Sequence, residues 1–224
     1  KAGNKRGGGH CMINAFPLWT ANDAMKITAG DVRGNWSANG VSIDTRTLEK
    51  GDLFFAIPGP NYDGHSFIAS AFKAGAAAAV VSNTSPYTLG NHPGLLVSDT
   101  LQALGLMAAT ARQRTKAKIT AITGSIGKTS TKEALAHVLS QQGATSASKS
   151  SLNNHWGVPL SLARTPEATK FGIYEIGMNH PGEIVPLTTL VRPDVAIVTA
   201  VAPAHMQFFD SLEDIARAKS EIFS

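Results

Sequence analysis

Two textures of apolar and polar residues divide the chain. In the first half the apolar positions come in short runs. Val41-Ser42-Ile43 alternates and Leu53–Ile57 is a brief continuous run; turn residues bound both, so both predict strands. Ser66–Ala74 has helical spacing and ends near Gly75. Ala77–Val81 predicts a buried strand and Leu95-Leu96-Val97 another. Thr100–Arg114 puts Leu101, Leu104, Met107 and Ala108 on one face of a helix. The second half alternates regularly. Strand Lys118–Ile122 leads through a loop to a helix over Lys128–Gln142, closed by Gly143. A short strand Ala144–Ala147, a helix at Gly157–Ala163, a strand Phe171–Ile176, a helix Gly182–Val191 and a strand Val195–Val201 follow. The last element is a helix over Ser211–Phe223 with Leu212, Ile215 and Ile222 on one face.

Such alternation predicts a parallel sheet wound with helices. The expected fold class is α/β: a small mixed α/β domain over 12–114, then a parallel-sheet phosphate-loop domain over 115–224. Only four strands are legible in the second domain, fewer than a nucleotide-binding sheet of this type normally carries, so a truncated domain is expected. Residues 1–11, with Gly7-Gly8-Gly9, read as a disordered tail or cloning remnant.

Composition narrows the function classes. The net charge of +4 looks basic, but removing Lys1, Lys5 and Arg6 leaves 17 basic against 16 acidic residues, which argues against a nucleic-acid face. The lone Cys11 excludes an intramolecular disulfide and a cysteine metal cluster, and points to a reducing compartment. No run approaches the roughly 18–20 apolar residues that span a bilayer. A cytoplasmic protein without membrane association is expected.

The segment Thr123-Gly124-Ser125-Ile126-Gly127-Lys128-Thr129 joins an apolar strand to a helix. Glycines let a backbone turn tightly and aim N–H groups at anionic oxygens, and the following helix N-terminus adds positive potential. Lys128 suits β- and γ-phosphate charge, and the Thr129 hydroxyl suits Mg²⁺. These residues predict an ATP site. The spacing departs from the common phosphate-loop pattern, because Ile122 stands where the first glycine is expected. The alternative is an ordinary strand-to-helix turn with a chance Gly-Lys-Thr.

The shortened loop resembles that of the Mur ligase family, and other segments join it. Ser151–Pro159 resembles the family's Asn-Asn-x-x-Gly-x-Pro segment, and Tyr174–Ile184 its Glu-x-Gly-x-Asn-x-x-Gly-Glu-Ile stretch. Ala204-His205-Met206 and Ala216–Ile222 resemble its later metal-site segments. In the first half, Ser42–Arg46, Gly51–Phe54 and Asp63-Gly64-His65 look like its UDP-sugar-binding domain. Thr45 stands where serine is common, and Met178 where a small residue is usual. The resemblance ends where the rest of the central domain and a C-terminal domain would follow.

The resemblance implies an ATP-dependent, amide-forming ligase of peptidoglycan precursor synthesis, acting as a monomer on a UDP-muramyl-peptide. The Asn179-His180 pair before Gly182-Glu183-Ile184 implies D-alanyl-D-alanine as the amine substrate. Mg²⁺ ligands would be Thr129, Glu175, His205 and Lys219, with Lys219 carbamylated by CO₂; Lys128, His205 and Lys219 would be catalytic. Asn153, Asn154, Asn179 and His180 would meet the muramyl peptide, and Asp44, Thr45, Arg46 and Asn61 the uridine diphosphate. Taken singly these residues keep plainer readings. Glu175 suits a strand-end salt bridge, Lys219 a solvated helix face, Arg46 a pair with Asp44 or Asp52, the asparagines caps and turns, and His65 a helix cap. Another member of the family, a folylpolyglutamate synthase-like ligase, a phosphate-loop kinase or GTPase, and an inactive nucleotide-binding fragment are the competing classes.

Overall fold

The computed structural model describes residues 17–59, 61–203 and 207–224. Strand β1 (Trp19–Thr20) runs directly into helix α1 (Ala21–Thr28). Thr20 and Asp23 cap each other there: the Thr20 hydroxyl accepts from the Asp23 N–H at 3.2 Å and the Asp23 carboxylate accepts from the Thr20 N–H at 3.3 Å. Then come β2 (Asp31–Arg33), β3 (Ser37–Ala38), β4 (Gly40–Ser42), β5 (Asp52–Phe55), α2 (Ile68–Lys73), β6 (Ala78–Ser82), β7 (Gly94–Val97) and α3 (Thr100–Arg114). Strands β4, β5, β6 and β7 pair side by side in parallel, and β2 adds antiparallel to β7. β1 pairs with β3 outside this sheet.

The second sheet is built from β8 (Lys118–Thr123), α4 (Lys128–Ser140), β9 (Thr145–Ala147), α5 (Gly157–Ala163), β10 (Phe171–Glu175), α6 (Ile184–Val191), β11 (Val195–Val198) and α7 (Leu212–Ser220). Its four strands are all parallel, in the order β11-β8-β10-β9. The carboxyl ends of β8, β10 and β11 therefore emerge on one side, with Glu175 in register with Ile122 and Val198 with Thr123. That is where an open α/β sheet gathers ligands.

Helix α5 joins the two sheets, and all seven of its residues are buried. Leu160 and Ala163 enter the first domain's core beside Trp19, Leu104 and Met107. Val158 and Leu162 enter the second core beside Ala108, Tyr174 and Ile176. Helices α3 and α5 thus form one layer serving both sheets. Hydrogen bonds reinforce it: Trp19 Nε1 donates to Ala163 O at 2.8 Å and Arg164 Nε to Val41 O at 2.6 Å. From α3, Arg112 donates to Val191 O and Arg192 O at 2.6 and 2.7 Å, so a cation closes the carboxyl end of α6. The Arg114 guanidinium lies 4.0 Å over the Trp19 ring.

Several boundaries differ from the sequence pattern. Ser66–Ala74 is a 3-10 turn (Gly64–Phe67) followed by α2, because Asp63 caps the earlier turn. The Gly182–Val191 helix starts at Ile184, and the Lys128 helix ends at Ser140. The Val195–Val201 strand stops at Val198, where the backbone turns to the phosphate loop. Beyond Ser220 the last helix tightens into a 3-10 turn, and Leu212 on its expected apolar face is exposed. Strands β1 to β3, two or three residues each, were too brief to show a period, and helix α1 escaped the pattern although its Thr20–Asp23 cap stands in the sequence.

Because Leu160 contributes to the layer between the sheets, Leu160→Ala is expected to destabilise the whole described fold by about 2–5 kcal/mol. Urea unfolding followed by tryptophan fluorescence and by far-UV circular dichroism should give one coincident, shifted transition. Two separated transitions would show that the sheets do not share a core.

Candidate phosphate and substrate site

The loop after β8 is shaped by two glycines and held by a neighbouring strand end. Gly124 has φ +148° and Gly127 φ +87°. A Cβ on Gly124 would collide with Thr199 Oγ1. That hydroxyl donates to Ile126 O at 2.6 Å and approaches Thr123 O at 3.2 Å. Ser125 N donates to Ala200 O at 2.8 Å, and Ser125 Oγ bridges Ala202 O and Ala202 N at 2.9 and 3.1 Å. The segment after β11 therefore clasps the loop from its far side, and Ser125 serves that clasp. Gly127 offers no side-chain cap to α4, which leaves the first N–H groups of the helix open to an anion. Lys128 Nζ folds back onto Gly124 O at 2.6 Å.

Beside the loop, two segments converge on the buried carboxylate of Glu175 and a third on its main chain. Thr129 Oγ1 donates to Oε2 at 3.0 Å and Asn153 Nδ2 to Oε1 at 2.8 Å. The main-chain N–H of Glu175 points to Ser148 Oγ at 3.4 Å. The salt-bridge reading of Glu175 is not what the geometry gives: its donors are neutral. Asn154 plays a different part, its Oδ1 accepting from Gly157 N at 2.9 Å to open α5. Across the same space, Lys219 is buried rather than on a solvated face. Burial, and secondarily the charge of Lys128, lower its pKa from the ordinary 10.5 to about 8. A cavity of about 320 Å³ is lined by Lys128, Asn153, Asn154, Asn179, His180 and Lys219, together with His155, Met178 and Glu183 among others. His180 packs against Phe208 with ring centroids 4.2 Å apart. Asn179 N donates to Glu183 Oε2 at 2.7 Å. The Glu221 carboxylate takes the N–H groups of Gly182 and Ile184 at 2.8 and 3.2 Å, tying the chain's last turn to this wall. His205 lies outside the described residues.

A second, larger cavity of about 820 Å³ opens between the domains. Asp44, Thr45 and Arg46 line it from the first domain, and Lys149, Trp156 and Arg164 from the second. Arg46 is already engaged: Nε and Nη2 reach the Asp44 carboxylate at 2.6 to 3.1 Å. That bond, above all, holds the Asp44 carboxyl below its usual range. The pair is exposed, so either partner is free to exchange for a ligand at small cost. Asn61 is exposed beside Tyr62, which lines the cavity. His65 is not a cap. It is buried, accepts from Ser82 N at Nε2 (2.8 Å) and meets Asp63 Oδ1 through Nδ1 (2.6 Å), while Asp63 does the capping.

Sequence reasoning missed Lys132, Ser148 and Thr199. Lys132 sits four residues after Lys128 and hence on the same helix face, a spacing that was visible. Thr199 gave no signal, because its partners lie some seventy residues away in the chain.

Gly182 and Gly124 separate the backbone contribution from packing. Gly182 has φ +84° and nothing near its missing Cβ. Gly182→Ala is expected to cost about 1–2 kcal/mol for the left-handed backbone alone. Gly124→Ala must also displace Thr199, so its loss in chemical denaturation should be clearly greater. Equal losses would mean the Thr199 clasp is not tight.

Comparison with known proteins fits this arrangement. A sequence model described as the Mur ligase middle domain matches residues 122–224, and one described as Mur ligase family, catalytic domain, matches residues 37–112. The UDP-N-acetylmuramoyl-tripeptide–D-alanyl-D-alanine ligase of Rickettsia prowazekii is 39% identical over 206 residues, which are 92% of this chain and 45% of that protein. A crystal structure of MurF from Acinetobacter baumannii superposes with a TM-score of 0.77 at 33% identity, covering 92% of this chain and 46% of that one. The MurF ligase of Thermotoga maritima in complex with ADP gives a TM-score of 0.65 at 29% identity, over 82% of this chain and 42% of that one. The chain thus spans about half the length of the relatives it matches. With the two family models in succession on the two domains, and the phosphate loop and Glu175 at the sheet's carboxyl edge, the chain belongs to the Mur ligase family.

Proposed function

We propose that this chain forms the UDP-substrate-binding and ATP-binding part of a ligase that joins D-alanyl-D-alanine to UDP-N-acetylmuramoyl-tripeptide. The observation that carries the reading is the 320 Å³ cavity, where Lys128 of the phosphate loop, Asn153, Asn179, His180 and Lys219 face one space. Residues 12–114 would hold the uridine diphosphate end in the cavity at Asp44–Arg46, and residues 115–224 the ATP. The peptide would then cross α5 from one cavity to the other. A cytoplasmic setting accords with the single cysteine.

The tripeptide carboxylate attacks the γ-phosphorus, ADP leaves, and an acyl phosphate forms. The free amine of D-alanyl-D-alanine then adds to the acyl carbon, phosphate departs with the C–O bonding pair, and the nitrogen gives up a proton. Bringing a carboxylate to a polyanion is opposed by charge. Lys128 offsets this by leaving Gly124 O for a phosphate oxygen, and the open first turn of α4 adds its N–H groups. The residues also fit Mg²⁺. Thr129 Oγ1 and Glu175 Oε2 are hard oxygen donors 3.0 Å apart beside the loop. An ion of this kind is commonly held by one or two carboxylates and the substrate's own phosphates. When bound, the ion supplies charge neutralisation to the transferring phosphoryl group.

Lys219 would join this set as a carbamate. Its amine adds to CO₂ and a proton is released, turning a cation into an anion. That requires neutral amine. A pKa of about 8 leaves roughly a quarter of the amine neutral near pH 7.5, against about a thousandth for an ordinary lysine. At fixed dissolved CO₂, a ¹³C-carbamate signal should grow as pH rises through 8 and vanish in Lys219→Met; a signal unchanged in that variant would place the carbamate elsewhere.

Turnover is the decisive test. In a form extended past Ser224 to the length of the relatives, phosphate release should require both UDP-muramyl-tripeptide and D-alanyl-D-alanine. Lys128→Ala should reduce it by about 10²–10³-fold or more. Release that ignores D-alanyl-D-alanine would reject the amine substrate, and thermal stabilisation by folate alone would reject the cell-wall reading.

A further inference from the structure

Lys132 is a fully buried cation that the reaction above does not use. It lies one turn beyond Lys128 on α4. Its Nζ donates to Ser148 O at 2.8 Å and Ser150 O at 2.8 Å, and Glu133 Oε1 stands 3.0 Å away. Three ammonium hydrogens thus face three acceptors, the condition under which burying such a group is tolerable. An apolar side chain would fill the space more cheaply. What an ammonium adds is a grip on two carbonyls two residues apart, which draws the backbone between them into a tight turn. Ser150 is held there at φ +52°, one of three non-glycine residues with positive φ among those described.

The gripped turn leads to Glu175 by two routes. Ser148 Oγ faces the Glu175 N–H, and Asn153, three residues past Ser150, donates to Glu175 Oε1. Thr129, three residues before Lys132 on the same face of α4, donates to Oε2. One helix therefore reaches the carboxylate directly through Thr129 and indirectly through Lys132. We propose that Lys132 is a positioning residue: it clamps residues 148–150 so that Asn153 fixes the orientation of the Glu175 carboxylate toward a divalent cation. This rests on the reading of Glu175 as a cation ligand.

The test is ATP binding to this chain by calorimetry, with magnesium chloride and with EDTA. Wild type should bind ATP more tightly with magnesium. Lys132→Met should lose about tenfold of that gain, the scale at which outer-shell partners tune metal affinity, while affinity in EDTA changes less than about twofold. Asn153→Ala should lose a similar share, and the double variant no more than the worse single, since both act through one relay. A folded Lys132→Met with the full magnesium gain, or strictly additive losses, overturns the proposal. Wild type without any magnesium gain would instead sink the cation reading of Glu175 and this inference with it. Should Lys132→Met fail to fold, Lys132→Gln, whose side chain is one bond shorter and cannot hold both carbonyls at once, replaces it with the same expected loss of the magnesium gain. If neither folds, Lys132 holds the fold rather than aims the carboxylate, and the proposal fails.

Discussion

A carboxylate buried at the end of a central strand has to be met by donors, because an unpaired anion away from water is among the costliest groups a fold can carry. Glu175 imposes that demand at the end of β10. Its two oxygens are met by Thr129 from the phosphate-loop helix and Asn153 from the turn before α5. Neither donor carries a charge, so the site keeps its negative character. Satisfying one side chain thereby brings together the glycine loop after β8, the asparagine segment and the sheet edge.

The other requirement is a rigid relation between the two cavities. Helix α5 meets it by being buried on every side. Its Leu160 face belongs to the first core and its Val158 face to the second. Arg112, Arg114 and Arg164 spend their guanidinium donors on main-chain carbonyls across the same seam. Arginine suits this use, having several directed donors and a weakly hydrated head. The cavity at Asp44–Arg46 and the cavity at Lys219 therefore flank one shared layer.

The short phosphate loop follows from the same economy of packing. With the first glycine at position 124 rather than 122, the backbone turns later and lies against the end of β11. Thr199 and the Ala200 backbone fill the space a side chain on Gly124 would need. The departure from the common spacing is thus matched by a neighbour that stabilises it.

Much of this was legible in the sequence. Helices α3 and α5 begin and end where their apolar spacing and flanking residues put them, and the four strands of the second sheet follow from β-rich runs between helices. The phosphate loop, Glu175 and Lys219 were also visible as residue types in motif positions. Periodicity and motif depend on neighbours within a turn or two, which the chain states directly. Burial and partnership do not. Only the tertiary structure made Lys132 a buried clamp, took Lys219 out of solvent and lowered its pKa, turned His65 from a cap into a bridge between Asp63 and Ser82, and set Thr199 against Gly124. Each of these depends on which distant segments share a space, and that is decided by sheet order and core packing rather than by local pattern.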